Sequence, residues 1–179
     1  MKAVSYTATG DSDVLVLGER PEPHPGDGEV RVRIHVSGVN PTDWKARQGS
    51  GPADLPRAQV PNQDGAGVVD EVGAGVTTVR PGDRVWVWDA AYQRPDGTAQ
   101  ELAVLPENLV VPLPEGVSFD VGASLGIPAL TAHRALTAHE RAAGELSPGS
   151  LDGRTVLIAG GAGAVGHAAI QLAVWGAPR

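Results

Sequence analysis

The chain has 179 residues, a formal charge of −7 and no cysteine. Its pI is about 5.1. An acidic surface repels phosphate backbones and argues against nucleic-acid binding, and the lack of thiols excludes disulfides, cysteine nucleophiles and every sulfur-bound zinc site.

Hydrophobic residues make up 41% and charged residues 20%, the balance of a globular domain. No run approaches the ~20 apolar residues that a membrane span needs. Met1 to Leu17 alternates polar and apolar residues where a signal peptide would carry an apolar core, so the cytoplasm is the expected compartment.

The predicted elements are strands first. Lys2 to Ala8 alternates, and Val14 to Leu17 is apolar before the Pro-rich turn Arg20 to Asp27. Glu29 to Val39 alternates best, with Val30, Val32, Ile34 and Val36 on one face and Arg31, Arg33 and His35 on the other. Gly65 to Val72, Arg84 to Asp89, Thr98 to Leu105 and Asn108 to Leu113 follow, divided by turns such as Pro81-Gly82-Asp83. Trp86 and Trp88 alternate with valines, so one face of that strand is core or interface. Short strands broken by Gly and Pro predict a closed or partly closed barrel.

The pattern changes near Ser118, which is placed to cap a short helix through Ser124. Pro128 opens a longer helical stretch to about Ala143, as suits the first helical position. Gly144 to Gly153 reads as a linker. Arg154 to Ala159 is a short apolar strand, and a helix runs from about Ala164 to Trp175.

Between that strand and helix lies Gly161-Ala162-Gly163-Ala164-Val165-Gly166, a G-x-G-x-x-G in the strand–turn–helix setting of a dinucleotide site. Gly161 would permit the tight turn, Gly163 would let the backbone approach a pyrophosphate, and Gly166 would let the helix pack closely. The N–H groups at Ala164 and Val165 favour an anion. The competing reading is a plain βα turn that uses glycines for packing. The residue that separates NAD from NADP stands about 20 positions further on, so that choice stays open.

Other residues carry simpler readings. Asp43 is a turn or helix-capping carboxylate before it is a site acid. Arg84 is a structural salt-bridge partner. Tyr92 sits in a polar loop of the kind that rims a cleft. His24, His35, His133, His139 and His167 lack metal-site spacing and read as surface histidines.

Three blocks occur in a fixed order ahead of the glycine turn. They are Gly38-Val39-Asn40-Pro41-Thr42-Asp43 with Arg47 and Gly49, then Pro61 to Val69 continuing to Pro81-Gly82-Asp83-Arg84-Val85, then Gly97 to Glu101 running on to Ile127-Pro128-Ala129-Leu130-Thr131-Ala132. From Lys2 to Ala177 the chain resembles the quinone reductases, the ζ-crystallin-like branch of the zinc-free medium-chain dehydrogenases and reductases.

The resemblance implies a mostly β chain with an α/β C-terminal part. A GroES-like β-barrel domain would occupy 1–125, connecting helices and linker 126–153, and the first βα unit of an incomplete Rossmann domain 154–179. A whole member would be roughly twice this length. This chain alone is then expected to bind dinucleotide weakly or not at all and to be inactive.

Zinc-dependent relatives place a cysteine where Asn40 stands, a histidine where Gln63 stands, a glutamate where Asp64 stands and a sulfur ligand near Ile127. Neutral amides compete badly with thiolate and imidazole for zinc, so no metal is expected. Hydride transfer must then rely on orientation and hydrogen bonds around NADPH.

By resemblance Asn40, with Pro41, lies beside the nicotinamide ribose and the substrate, Thr131 meets the nicotinamide end, and Gln63 and Asp64 line the same cleft. Where many quinone reductases carry a tyrosine, this chain has Lys45 after Trp44. Trp44 is then a candidate for stacking, and Lys45 either binds an anionic substrate group or is solvated.

The implied activity is hydride transfer from NADPH to a quinone or an activated enone. The implied partners are that small molecule and, since most relatives pair, a second copy in a homodimer. Two rival readings stand beside it. One is a non-catalytic GroES-like module acting by protein association through its sheet edge and tryptophan strand. The other is an enoyl reductase module of a synthase.

Overall fold

The computed structural model describes residues 1–50, 57–138 and 144–177. Cα packing divides the chain into two compact units, Met1–Gly126 and Ile127–Arg179.

In the first unit β1 (Lys2–Ser5) pairs antiparallel with β2 (Val16–Glu19). The main sheet joins β3 (Glu29–Gly38), β4 (Asp64–Val72), β5 (Arg84–Val87), β6 (Leu102–Pro106) and β7 (Val110–Pro112) in the antiparallel order β6-β3-β4-β5-β7. It is curled, with α1 (Pro41–Lys45) and α2 (Phe119–Ala123) added to it. α3 (Gly126–Thr137) begins at the unit boundary, and α4 (Ala164–Trp175) lies in the second unit.

The period-two pattern explains the core. Val30, Val32, Val85, Val87 and Leu105 are fully buried and pack with Val69, Val79, Ala90, Ala103 and Val110. β-branched side chains suit this position because a pleated, half-buried surface accepts their restricted rotamers. The other face of β3 carries charge. Arg31 Nε and Arg33 Nη2 reach the two carboxylate oxygens of Asp70 on β4 at 2.7 and 2.9 Å, which holds that carboxyl below its usual range. On β5 the valines are core, whereas Trp86 lies half-buried on the opposite face.

Several predicted boundaries move. β1 stops at Ser5 because Tyr6 bridges to Gln59. Leu15 ends a helical turn at Ser12–Val14, so β2 starts at Val16. Thr98 to Glu101 precede β6 and bond across to Asn62, Pro61 and Lys2. The Ser118 cap forms: its hydroxyl accepts from the Val121 amide at 3.3 Å. α3 starts two residues before Pro128, which falls inside the first turn, where its missing N–H costs no helical bond. α3 ends at Thr137; His139 and Ala143 lie outside the described residues.

Residues 154–158 carry no regular structure, contrary to the strand expected over Arg154 to Ala159. A strand exists through its ladder, and among the described residues none pairs with this segment. Leu157 is 95% exposed there.

Arg84 corrects the ion-pair expectation. Asp83 turns back instead to the Arg80 amide at 2.9 Å. The Arg84 guanidinium donates to the Val117 carbonyl at 2.6 Å and lies 4.5 Å over the Phe119 ring, which also stacks on His35 at 4.8 Å. Its partners are acceptors without charge, so the residue fastens α2 to the sheet through carbonyls and a π face.

Candidate active site

In the first unit a candidate site is built where β3 gives way to α1. Asn40 has extended backbone at the N-cap, Pro41 takes the first helical position, and Asp43 falls at the third. The Asp43 carboxylate reaches back to accept the Asn40 amide at 2.6 Å, the reciprocal half of a capping box. Its second oxygen accepts the Gln63 amide at 3.2 Å. One carboxylate thus ties the start of α1 to the residue before β4. Burial pushes the Asp43 pKa up, and its hydrogen bonds from Asn40 and Gln63 oppose that rise.

Asn40 is 7% exposed and donates its Nδ2 to Asp64 Oδ2 at 2.7 Å. That carboxylate sets which way the amide points, with Asn40 Oδ1 toward the Asp43 amide in the other half of the capping box. Asp64 is fully buried, and its carbonyl accepts from the Thr98 hydroxyl at 2.6 Å. Gln63 is held three ways: by Asp43, by the Ala90 amide on its carbonyl at 3.0 Å, and by the Ala91 amide on its Oε1 at 3.1 Å. Gln63 Nε2 is left as a donor.

Beside these groups lies a cleft of about 430 Å³ lined by Tyr6, Asp43, Arg57, Asn62, Gln63 and Arg94, among others. Sequence reasoning missed Tyr6 altogether, and nothing near it in the chain could have found it. Asp43 was legible as a cap but not as the link between Asn40 and Gln63. Of the residues expected around it, Gln63 lines the cleft, whereas Asn40 and Asp64 lie buried behind it and Lys45 does not line it. Lys45 is exposed, with its ammonium 5.5 Å from the Trp44 ring centroid. Tyr92 is 60% exposed and does not line it either. Among the described residues no group of three or more His, Asp or Glu side chains gathers as a metal site.

The glycine turn lies in the other unit. Gly163 is the N-cap of α4, and the His167 amide bonds its carbonyl at 2.8 Å. The tight turn belongs to Gly160, at φ +67°, rather than to Gly161 as the motif suggested. A Cβ on Gly161 would stand 2.9 Å from Ile170 Cδ1, and one on Gly166 would stand 2.2 Å from the Gly160 carbonyl oxygen. The backbone clash accounts for glycine at 166, whereas at 161 the exposed Ile170 side chain could turn aside. Gly163 differs, because a Cβ there would meet only Gly160 O, at an ordinary 3.4 Å. The first-turn amides beyond it have no partners within the helix. Thr131 is exposed on α3 in the same unit.

These features define a GroES-like β domain leading into a glycine-turned helix. Residues 26–115 match the family model described as the alcohol dehydrogenase GroES-like domain, and the chain belongs to that family. Quinone oxidoreductase of Rattus norvegicus is 34% identical over 174 residues, 97% of this chain and 49% of the rat protein. The 2-methylene-furan-3-one reductase of Solanum lycopersicum is 37% identical over 187 residues, covering all of this chain and 46% of the tomato protein. A mycobacterial protein solved in complex with NADPH superposes with a TM-score of 0.80 at 33% identity, covering 99% of this chain and 51% of that one. The chain spans about half the length of the curated relatives it matches.

Proposed function

We propose that this chain contributes the substrate cleft and the first dinucleotide-binding turn of an NADPH-dependent, zinc-independent oxidoreductase that reduces a quinone or an activated enone. The observation that carries the reading is Gly163. A positive φ accounts for glycine at 160 and the Gly160 carbonyl for glycine at 166, whereas at 163 neither the backbone angle nor a close neighbour requires it, which leaves room for an approaching ligand. A pyrophosphate approaching the first turn of α4 fits, because unpaired amides and the helix dipole favour an anion there. The mycobacterial structure with NADPH and the rat and tomato relatives support the choice of cofactor and acceptor.

Gly163, Ala164 and Val165 would hold the pyrophosphate, and Asn40, Pro41 and Thr131 the nicotinamide end. The bound dinucleotide supplies a hydride. The chain supplies orientation: Asp64 holds the Asn40 amide and Asp43 the Gln63 backbone, which leaves Gln63 Nε2, on the cleft wall, as a donor to an acceptor or a ribose hydroxyl. Asn40 and Gln63 give their side chains to Asp64 and to a backbone amide, and neutral amides are weak zinc ligands. The zinc-independent reading rests on that donor chemistry.

NADPH oxidation at 340 nm by a full-length protein carrying this chain, against a panel of quinones and enones, tests the function. Turnover is expected to survive a chelator. Activity confined to metal-dependent alcohol oxidation would overturn the reading. Gly163→Ala makes a narrower test. Its thermal midpoint should stay near wild type, while the Kd for NADPH rises about tenfold or more as the new methyl meets phosphate. Unchanged affinity would remove the main support.

A further inference from the structure

Resting on the acceptor reading above, we infer that Tyr6 donates its hydroxyl hydrogen bond to a carbonyl oxygen of the acceptor held in the cleft. The phenol absent at Lys45 is thereby supplied from the end of β1. Tyr6 is held from both sides by Gln59, which accepts its amide at 2.9 Å and donates to its carbonyl at 2.8 Å. The residue is only 8% exposed, yet it lines the cleft. Its hydroxyl makes no hydrogen bond with any described residue and is not among the sealed, unpartnered atoms, which leaves it as a donor on a cleft-lining side chain.

Two neighbouring donors are committed, while the charged Arg57 side chain also lines the cleft. Asn62 Nδ2 bonds the Ser37 hydroxyl at 2.9 Å, and Arg94 Nη2 bonds the Val104 carbonyl at 2.5 Å. Asp43 is an acceptor with both oxygens engaged. Tyr6 and Gln63 Nε2 are the neutral donors that remain, and a neutral ketone oxygen in a half-closed cleft is matched by such donors. Burial pushes the Tyr6 pKa up, with Arg47 opposing and Asp43 adding to it, so the phenol keeps its proton through the neutral range.

The test measures binding without NADPH, so its outcome is separate from that of the turnover assay. Cyclohex-2-enone labelled with ¹³C at the carbonyl is titrated into the wild-type chain and into Tyr6→Phe, which keeps the ring. The carbonyl resonance is expected to move downfield on binding the wild type and to lose that movement in the variant, with Kd raised about five- to tenfold. Cyclohexene, which lacks the oxygen, should bind both alike. The tyrosine Raman doublet of the unsubstituted chain gives a second readout, since only Tyr6 and Tyr92 contribute and Tyr92 is exposed. Equal enone affinity and shift in both proteins, no enone binding by the wild type, or equal weakening of cyclohexene would overturn the assignment. Loss of the shift in a protein that turns over no acceptor would keep Tyr6 as a carbonyl donor and reject the reductase.

Discussion

Gly67→Ala is expected to destabilise the fold by about 3 kcal/mol, near the upper end for overpacking, and to lower the thermal midpoint by roughly 10 °C for a chain of this size. Gly67 sits in β4 between Ile34 of β3 and Val85 of β5. A Cβ there would stand 1.9 Å from the Arg33 carbonyl oxygen and 2.9 Å from its carbon. Both obstacles are backbone, so no rotamer change relieves them. The register slips between Ile34 and Val36, which brings β3 close over this position. A strand must move, and the Arg33 and Val32 ladder moves with it. Differential scanning calorimetry of the variant checks this; a midpoint within 2–3 °C of wild type would mean that β3 adjusts cheaply.

Asp43→Ala should cost about 2–5 kcal/mol, because it strips the acceptor from two amides at once. The Asn40 amide is buried with its residue at 7% exposure, and the Gln63 amide sits at the mouth of β4. The loss reaches beyond stability, since the same carboxylate sets the spacing of the two amide side chains assigned to the site. Asp43→Asn keeps one oxygen and should lie between wild type and alanine.

The pH dependence has a definite sign. The folded-state pKa of Asp43 is raised from its usual 3.8, chiefly by burial. The folded protein therefore holds that proton more tightly than the unfolded chain does. The associated stability is complete below the unfolded pKa and declines as pH rises through the raised folded value. Urea denaturation at pH 4 and pH 7 should show wild type gaining on Asp43→Asn at the lower pH. A gap that narrows on acidification would contradict the burial argument.

How far these features could be read in advance depended on their range along the chain. The valines of β3 and β5 announced the core because a strand repeats every two residues, and that period survives folding. The strand ends did not show, because pairing partners such as Tyr6 with Gln59 or Gln100 with Ala3 lie far apart in sequence. α1 is five residues long, too short to show a helical period, although Asn40-Pro41 with Asp43 three positions on is a capping signature.

The glycine turn was placed correctly on the entry to α4, but its left-handed residue fell one position early, at Gly160. Adjacent glycines are equivalent to pattern reading, and only the backbone angle separates them. Lys45 stands where many quinone reductases carry a tyrosine and was open to two readings, an anion binder or a solvated residue; it is exposed, with its ammonium 5.5 Å from the Trp44 ring centroid.

The ring shared by Arg84 and His35 belongs to the sole phenylalanine of the chain. Biosynthetic incorporation of a fluorinated analogue would therefore produce a one-line ¹⁹F spectrum. That line would report how α2 is seated on the sheet, next to Gly38 at the end of β3, whose absent side chain makes room for the Ala123 carbonyl. Titrations of an acceptor could then be followed at a position outside the cleft lining.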